Sequence, residues 1–291
     1  MSDTSSTIRS RELGEGLRLA MEHAGFTGKQ TARMLAWSES KVSRLLSGQQ
    51  NVSELDISAF LAVCMITGPE REHLLKLARE QAKPGWLQQY GTNLPEQLKT
   101  LIDHERKAVA ITDFELTRIP GLLQTGDYAQ ELLQRSASVP PGEVGARVSA
   151  RLGRQSLLAG DHHPHFTFFV HQFALMLPVG DSEVMSDQLH QLLRMSVRAY
   201  ISVHVIPVAF GAHAAMSGAC RLMEFTEFKP VVYIEEETAG HFLEEPEEIG
   251  TYRKIFASLA NGALDEGQSR DLIAKLAVEL YGDGEDGHDR A

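Results

Sequence analysis

Apolar residues recur every three or four positions through residues 9–80, and breaks in this spacing divide the stretch into short segments. The repeat ends first at Gly25, then near Leu35 and Gly48, and Gly68-Pro69 separates the last two segments. This spacing gives each segment one apolar face, as expected of helices that pack together. The pattern predicts a bundle of five short helices whose inward-facing side chains include Leu13, Leu17, Ala32, Val42, Leu45, Phe60, Leu61 and Leu74.

Small polar residues stand where three of these helices begin. Thr27 followed by Gln30 is typical of a capping box, in which each side chain satisfies a free backbone N–H at the helix start. Ser38 and Ser53 are N-cap candidates for the third and fourth helices. The second and third helices are therefore joined by a tight turn.

The pattern changes after Ala82, where Lys83-Pro84-Gly85-Trp86 ends the helical spacing. Short runs rich in β-branched and aromatic residues then alternate with helical segments, which predicts an α+β fold with a small mixed or antiparallel sheet. The predicted organisation is a helical domain at 1–82, a linker at 83–97, an α+β domain at 98–281 and an acidic, disordered tail at 282–291. The predicted strands are 165–171, 201–206, 220–225 and 231–235, and the predicted helices include 96–114, 144–158, 182–199, 245–261 and 268–281.

The charge is unevenly distributed between the two predicted domains. The 291 residues carry a net charge of −11, yet residues 1–82 hold ten Lys or Arg and ten Asp or Glu. The whole negative charge therefore belongs to residues 83–291. Between Thr27 and Gln50, four cations face one carboxylate, an arrangement that either binds phosphate or is simply a solvated helix face.

Two helices joined by a tight turn are typical of a helix-turn-helix, whose second helix enters the major groove of DNA. With Val42 and Leu45 packed inward, the polar residues of the third helix remain available to meet bases: Arg suits guanine or phosphate, Glu suits the cytosine amino group, and Ser suits either role. The remaining candidates are expected to hold the DNA backbone. The predicted base readers are Glu39, Ser40, Ser43 and Arg44, and the other predicted DNA-binding residues are Thr27, Gln30, Arg33, Ser38 and Lys41.

The stretch GFTGKQTARMLAWSESKVSRLLSGQQ, residues 25–50, resembles the helix-turn-helix of XRE-type regulators, which are related to phage Cro and repressor domains. The resemblance implies a lambda-repressor-like bundle. Many relatives have glycine in the turn where this chain has Ala36, so a left-handed backbone there would cost about 1 kcal/mol unless the turn avoids that conformation.

The segments PGLLQTGDYAQELL, VHVIPVAFGAHAAMSGACRLMEF, VVYIEEE and SRDLIAKL are similar to the C-terminal domain of unknown function in actinobacterial WhiJ-like, antitoxin-like regulators. The resemblance implies a transcriptional regulator whose gene often neighbours that of a small partner protein. Where relatives tend to have glutamate after the first predicted strand, this chain has Gln172, which argues against proton or cation binding there.

Three features of the second domain have both a functional and a structural interpretation. The loop from Phe210 to Gly218 is either a flexible connection or a site for a ligand or partner, with Gly211, His213 and Ser217 as its candidate residues. Arg147, Arg151 and Arg154 share one helix face that either touches DNA or meets an acidic interior or partner, the second being favoured. A run of carboxylates is either a solvated rim or a partner-binding face, and it consists of Glu235, Glu236, Glu237, Glu244, Glu245, Glu247 and Glu248.

The sequence contains no glycine-rich phosphate loop, nucleophile elbow or zinc-protease motif, so we expect no enzyme, although a site built on His213 stays open. We expect no cofactor and no metal, because His165 and His171 would lie about 20 Å apart on one strand and the other nearby histidines, His162 and His163, flank Pro164 in a turn. The 166–179 stretch is too short and interrupted to span a membrane.

These observations together predict a cytoplasmic, sequence-specific regulator that binds a double-stranded DNA operator as a homodimer. Its second domain would dimerise and receive a signal. That signal is either a small protein encoded by a neighbouring gene or a small molecule.

Overall fold

The computed structural model describes residues 7–48, 52–80, 86–89, 94–159, 163–237 and 239–281, with the backbone alone at 86–89 and 94–99. The predicted tail at 282–291, residues 83–85 and 90–93 of the predicted linker at 83–97, and His162 lie outside the described residues. The chain divides into two units. Unit 1 contains residues 1–87, 227–231 and 242–248, and unit 2 contains residues 88–226, 232–241 and 249–291.

Unit 1 is built on the five predicted helices: α1 (Ile8–His23), α2 (Gly28–Met34), α3 (Glu39–Leu46), α4 (Glu54–Val63) and α5 (Gly68–Glu80). The predicted inward-facing residues form one core, in which Leu17, Ile57 and Phe60 are fully buried. The prediction of a five-helix bundle is therefore confirmed.

Two glycines allow α1 to pack closely against the end of α3. A Cβ atom on Gly14 would lie 2.7 Å from the Leu46 carbonyl oxygen, and one on Gly48 would lie 2.6 Å from the Ser10 carbonyl oxygen. Ser10 also donates its hydroxyl to the Gly48 carbonyl at 2.9 Å. The end of α3, the candidate recognition helix, therefore packs directly against the backbone of α1, and a larger residue at either glycine would disrupt this contact.

Segments from late in the sequence also belong to unit 1. The buried carboxylate of Glu244 accepts a hydrogen bond from the backbone N–H of Ile8 at 3.0 Å, and it lies 3.6 Å from the Arg11 guanidinium. A negative charge at a helix N-terminus is stabilising because the first N–H groups of the helix lack intrahelical partners. Glu244 therefore anchors the start of α1, together with the N-cap Thr7.

The seven strands of the described residues form one mixed sheet in the order β1-β7-β6-β5-β2-β3-β4. Strands β2, β3 and β4 are parallel, and β5 runs antiparallel to β2. The strands are β1 (Trp86–Gln89), β2 (Ala110–Glu115), β3 (His165–His171), β4 (Ile201–Ile206), β5 (Cys220–Glu224), β6 (Val231–Glu235) and β7 (Ala239–Leu243).

The described part of the chain contains seven further helices: α6 (Leu94–Lys107), α7 (Gly126–Gln134), α8 (Val144–Arg154), α9 (Gln172–Met176), α10 (Ser182–Ser196), α11 (Pro246–Gly262) and α12 (Glu266–Tyr281). Short 3₁₀ helices lie at Gly121–Leu123, Pro141–Glu143, Gln155–Leu158 and Val208–Phe210. The predicted α+β class is confirmed, and the sheet is mixed. No helix of the described residues is long and apolar enough to cross a membrane.

The helix predicted over 96–114 is wrong at its C-terminal end. The segment predicted as a helix over 96–114 is α6 followed by β2, which lies in the sheet between β3 and β5. The local spacing of apolar residues fits either element over so short a run, and pairing with strands far along the chain decides the outcome. β7 was not predicted because its sequence, Ala-Gly-His-Phe-Leu, lacks β-branched residues.

Candidate nucleic-acid interface and arginine-lined cavity

The helix-turn-helix of unit 1 begins at the predicted capping box. The Thr27 hydroxyl accepts from the Gln30 backbone N–H at 3.3 Å, and the Gln30 side-chain oxygen accepts from the Thr27 N–H at 2.8 Å. Ser38 caps α3 by accepting from the Lys41 N–H at 3.2 Å. These local hydrogen bonds fix where both helices start.

The turn between the two helices adopts the left-handed conformation at Ala36, where φ is +55°. The Ala36 N–H donates to the Arg33 carbonyl and the Trp37 N–H donates to the Ala32 carbonyl, at 3.2 and 2.8 Å. This pair of hydrogen bonds defines a Schellman turn, which usually has glycine at the position of Ala36. The turn therefore does not avoid the conformation that alanine disfavours.

The predicted DNA-binding residues are brought together on the solvent side of α2 and α3, while Val42 and Leu45 are buried on the opposite side of α3. Eight of the nine are exposed, namely Thr27, Gln30, Arg33, Ser38, Glu39, Ser40, Ser43 and Arg44. The surface these residues form is called the α2–α3 face below. It presents hydrogen-bond donors and acceptors, as a base-reading helix requires.

Lys41, the ninth predicted residue, is half-buried and already engaged within unit 1. Its ammonium group lies 3.0 Å from an Asp56 carboxylate oxygen and 3.9 Å from the centre of the Trp37 ring. A phosphate contact by Lys41 would compete with both interactions.

Unit 2 contains a buried network of four charged side chains from four elements. Arg154 of α8 donates from Nε to Glu105 of α6 at 3.0 Å, and Arg221 of β5 donates from Nε to Asp113 of β2 at 3.1 Å. Arg221 also pairs with Glu105, which joins the two pairs. Burial would raise the pKa of Glu105, but Arg154 and Arg221 outweigh it and hold that pKa below its usual value. The two arginines and the two carboxylates are therefore paired within one network.

A second group of ionisable side chains lies beside this network. The Arg118 guanidinium lies 3.4 Å from Glu115 and 3.6 Å from Glu235. Burial, with repulsion from Asp113 and Glu235, raises the pKa of Glu115 to about 8 despite the attraction of Arg118. Glu115 is accordingly protonated at neutral pH.

Arg151 of α8 differs from these arginines in its partner. Its Nη1 donates to the side-chain oxygen of Gln124 at 2.8 Å, and no carboxylate of the described residues lies within ion-pair distance. Burial lowers the pKa of Arg151, as do its neighbours Arg154 and Arg118, although Glu235 opposes them. Arg151 therefore has a neutral amide as its hydrogen-bond partner, and the attraction of Glu235 reaches it only from beyond ion-pair distance.

These groups adjoin a cavity of about 410 Å³, called the arginine cavity below. A void of about 30 Å³, the size of a single water site, shares Arg118, Arg151, Arg154 and Glu235 with it. The arginine cavity is lined by Arg118, Leu132, Leu133, Arg135, Ser136, Ser138, Val139, Arg147, Arg151, Arg154, Glu235, Glu236 and Glu237.

The structure separates the residues predicted as a ligand or partner site. Glu235, Glu236 and Glu237 line the arginine cavity, whereas Gly211, His213 and Ser217 line neither cavity. Burial lowers the pKa of His213, whose ring packs 5.6 Å from His171 and 5.5 Å from Phe114, measured between centroids.

The carboxylate run is largely engaged. Glu235 lies beside Arg118, Glu236 lies 3.5 Å from His241, and Glu237 accepts hydrogen bonds from Ser136 and Ser138, which lower its pKa. Glu244 is buried against α1. Of the seven, only Glu244 is buried, and Glu236, Glu237, Glu245 and Glu247 are exposed.

The three arginines of α8 line the arginine cavity, as expected if they meet an acidic interior. The local sequence pattern does not predict a functional role for Glu105, Asp113, Glu115, Arg118 or Arg221. A signal for Arg221 was available, because a lone arginine inside an apolar strand must have a buried partner.

Neither cysteine is placed for nucleophilic chemistry. Burial, together with Asp113 and Glu115, raises the pKa of Cys220 to about 12, and burial alone raises that of Cys64. Both are therefore neutral thiols at physiological pH. The described residues include no group of three His, Cys, Asp or Glu side chains arranged to hold a metal ion.

Comparison with known families agrees with this geometry. Residues 12–74 match the model of a helix-turn-helix domain, so the protein is a DNA-binding regulator of the helix-turn-helix class. Residues 98–275, more than half of the chain, match a domain of unknown function (DUF5753), and the chain belongs to that family. No curated protein matches the chain.

Proposed function

We propose that the protein is a sequence-specific transcriptional regulator whose α3 enters the major groove of an operator. The observation that carries this proposal is the α2–α3 face, where exposed polar side chains cover one side of a recognition helix fixed by its cap and by its contact with α1. The match to a helix-turn-helix domain supports the same function. The work of the protein is then recognition and not catalysis.

Within this proposal, the N-terminal half of α3 reads bases and α2 holds the DNA backbone. Arg44 contacts guanine or a phosphate, Glu39 accepts from a cytosine amino group, and Ser40 and Ser43 take either role. The residues assigned to the phosphates are Thr27, Gln30, Arg33, Ser38 and Lys41, of which Lys41 has to leave Asp56.

Replacing Arg44 with alanine tests the assignment. We expect Arg44→Ala to weaken specific operator binding by about 1–3 kcal/mol and to relax base preference at one position. The operator is first selected from random duplexes with the full-length protein, and binding is then measured by fluorescence anisotropy at fixed salt.

Lys76→Ala is the matched control, because it removes an exposed positive charge from α5, outside the α2–α3 face. We expect the control to bind the selected operator as the wild type does. Equal affinities for wild type, Arg44→Ala and Lys76→Ala would remove Arg44 from the interface.

The protein is proposed to act as a homodimer, since one helix-turn-helix usually lacks sufficient affinity and two half-sites one helical turn apart match a two-fold axis. Light scattering of the full-length protein should give twice the chain mass of 32.2 kDa, and the selected operator should be a palindrome. A monomer bound to a single half-site would contradict this proposal.

Two versions of the signal remain. The XRE-type, WhiJ-like, antitoxin-like resemblance supports a small protein partner encoded by a neighbouring gene, with the exposed acidic residues Glu236, Glu237 and Glu245 as its proposed contacts. The arginine cavity supports a small molecule instead. Adding the purified product of the neighbouring gene to the operator complex distinguishes the two versions. A change in DNA binding supports the protein partner, because a small-molecule signal would not be supplied in that assay. In either version the protein acts in the cytoplasm, where its operator lies.

A further inference from the structure

The arginine cavity has the dimensions of a small-molecule site. Its volume of about 410 Å³ falls within the range of roughly 300–1,000 Å³ that ligand pockets occupy. Its walls come from Arg118 after β2, from α7 and the residues that follow it, from α8, and from the end of β6 with the residues after it. The site therefore lies within unit 2.

The arginines around the cavity differ in their carboxylate partners. Arg154 and Arg221 are compensated by Glu105 and Asp113, and Arg118 lies between Glu115 and Glu235. Arg151 has only the Gln124 amide. Because a desolvated cation is costly without a partner, the cavity favours one further negative charge at this point.

A buried donor without a hydrogen-bond partner among the described residues lies one helical turn before Arg151. The Nε of Arg147 is buried and has no hydrogen-bond partner among the described residues, although another nitrogen of the same group pairs with Glu143 at 2.9 Å. Residues four apart on a helix lie on the same face. Arg147 and Arg151 thus offer two guanidinium groups, each with unused donor capacity, to a single cavity.

The other lining residues indicate what accompanies the anion. Leu132, Leu133 and Val139 line the cavity with apolar surface. Carboxylates and phosphates match the planar guanidinium fork, and an apolar body attached to such a group would cover the three aliphatic side chains. We infer that the arginine cavity binds a small organic anion, a carboxylate or a phosphate ester with an apolar body, seated on Arg151 and Arg147.

This anion would serve as the regulatory signal, an assignment that rests on the proposed function, whereas binding itself does not. The carboxylates of Glu235, Glu236 and Glu237 also line the cavity. They disfavour an anion that approaches their side and so orient the charged end of the ligand toward α8.

The test uses probes that share one apolar body and differ in charge. Benzoate represents a carboxylate, phenyl phosphate a phosphate ester, and benzyl alcohol a neutral analogue. We expect the full-length protein to bind benzoate or phenyl phosphate saturably in calorimetry at millimolar concentration, with an affinity at least tenfold above that for benzyl alcohol. The stronger of the two anions identifies the headgroup.

Two variants distinguish a binding role of Arg151 from a structural one. Arg151→Gln should weaken anion binding at least tenfold while leaving the melting temperature of the unliganded protein unchanged or raised, because it removes a poorly compensated cation. Arg194→Gln, which changes an exposed arginine of α10 outside the cavity, should alter neither property. A lowered melting temperature of Arg151→Gln together with unchanged anion affinity would overturn the inference, as would equal binding of all three probes or binding of none.

The regulatory part is measured separately on the selected operator. A changed operator affinity in the presence of saturating anion, absent in Arg151→Gln, supports the signal. If the anion binds but does not change operator affinity, the regulatory role is refuted and the binding site is still supported. Failure of the wild type to select any operator would instead refute the proposed function while the calorimetry still stands.

Discussion

Exchanging glycine and alanine between two equivalent turns of unit 1 tests the backbone geometry of the helix-turn-helix. Ala36 and Gly25 each follow the C-cap residue of a helix and each form a Schellman turn, with φ of +55° and +72°. Ala36→Gly should stabilise unit 1, and Gly25→Ala should destabilise it. Neither side chain makes a packing contact that would obscure the effect, because Ala36 is exposed and a Cβ on Gly25 meets no atom within 4 Å.

The magnitude follows from two opposing terms. An L-residue in the left-handed region costs about 1–2 kcal/mol, which glycine does not incur. Glycine also gives the unfolded chain more conformational freedom, which lowers the free energy of unfolding by about 0.4–1 kcal/mol. The net gain expected for Ala36→Gly is therefore about 1 kcal/mol, with a loss of similar size for Gly25→Ala.

Hydrogen exchange of the full-length protein measures both changes, because the slowest amides of α1 report on the opening of the bundle. A change of 1 kcal/mol corresponds to roughly a fivefold change in exchange rate, slower in Ala36→Gly and faster in Gly25→Ala. Operator affinity should stay the same in both variants. If Gly25→Ala exchanges faster while Ala36→Gly is unchanged or also faster, the turn at Ala36 does not have the left-handed geometry, and unchanged rates in both would refute the reasoning itself.

Two further substitutions test the buried carboxylates. The pKa of Glu115 in the folded protein, about 8, lies above its pKa in the unfolded chain, so the free energy of unfolding of the wild type should fall as the pH rises from 5 to 8. Glu115→Gln should remove up to about 4 kcal/mol of that fall. The measurement is urea unfolding at several pH values, and an equal pH dependence of the wild type and the variant would contradict the prediction. Glu244→Gln should lower the free energy of unfolding by about 1–3 kcal/mol, because it removes the negative charge that accepts a hydrogen bond from Ile8 and faces Arg11. Unchanged hydrogen exchange in α1 would show that this carboxylate does not stabilise the start of the helix.

The helices of unit 1 could be predicted because the information that defines them is local. The capping box at Thr27 and the cap at Ser38 lie within three residues of the N–H groups they satisfy. The apolar spacing then places Val42 and Leu45 inside and leaves the polar residues of α3 on the surface. Both features belong to single helices, so no knowledge of distant contacts is needed.

The sheet and the arginine cavity depend on contacts between distant parts of the sequence. β2 is a strand because β3 and β5 pair with its two edges, from about 55 and 110 residues further along the chain. The network around Arg221 likewise joins side chains from α6, β2, α8 and β5. The α8 arginines were recognised as one face, but only the tertiary structure shows that Arg154 has carboxylate compensation and Arg151 does not.

The net charge of −11 therefore has different consequences for the two candidate sites. Residues 1–82 are neutral as a whole, and the exposed cations Arg33 and Arg44 stand on the α2–α3 face, where they can release counterions from DNA. Residues 83–291 carry the whole excess of acid, yet Arg151, inside unit 2, has no carboxylate of the described residues within ion-pair distance. Since exposed charges are screened beyond about 8–10 Å at physiological salt, the distant carboxylates repel an incoming anion only weakly once it has entered the cavity. The local guanidinium groups, and not the overall charge, then decide which ligand is bound.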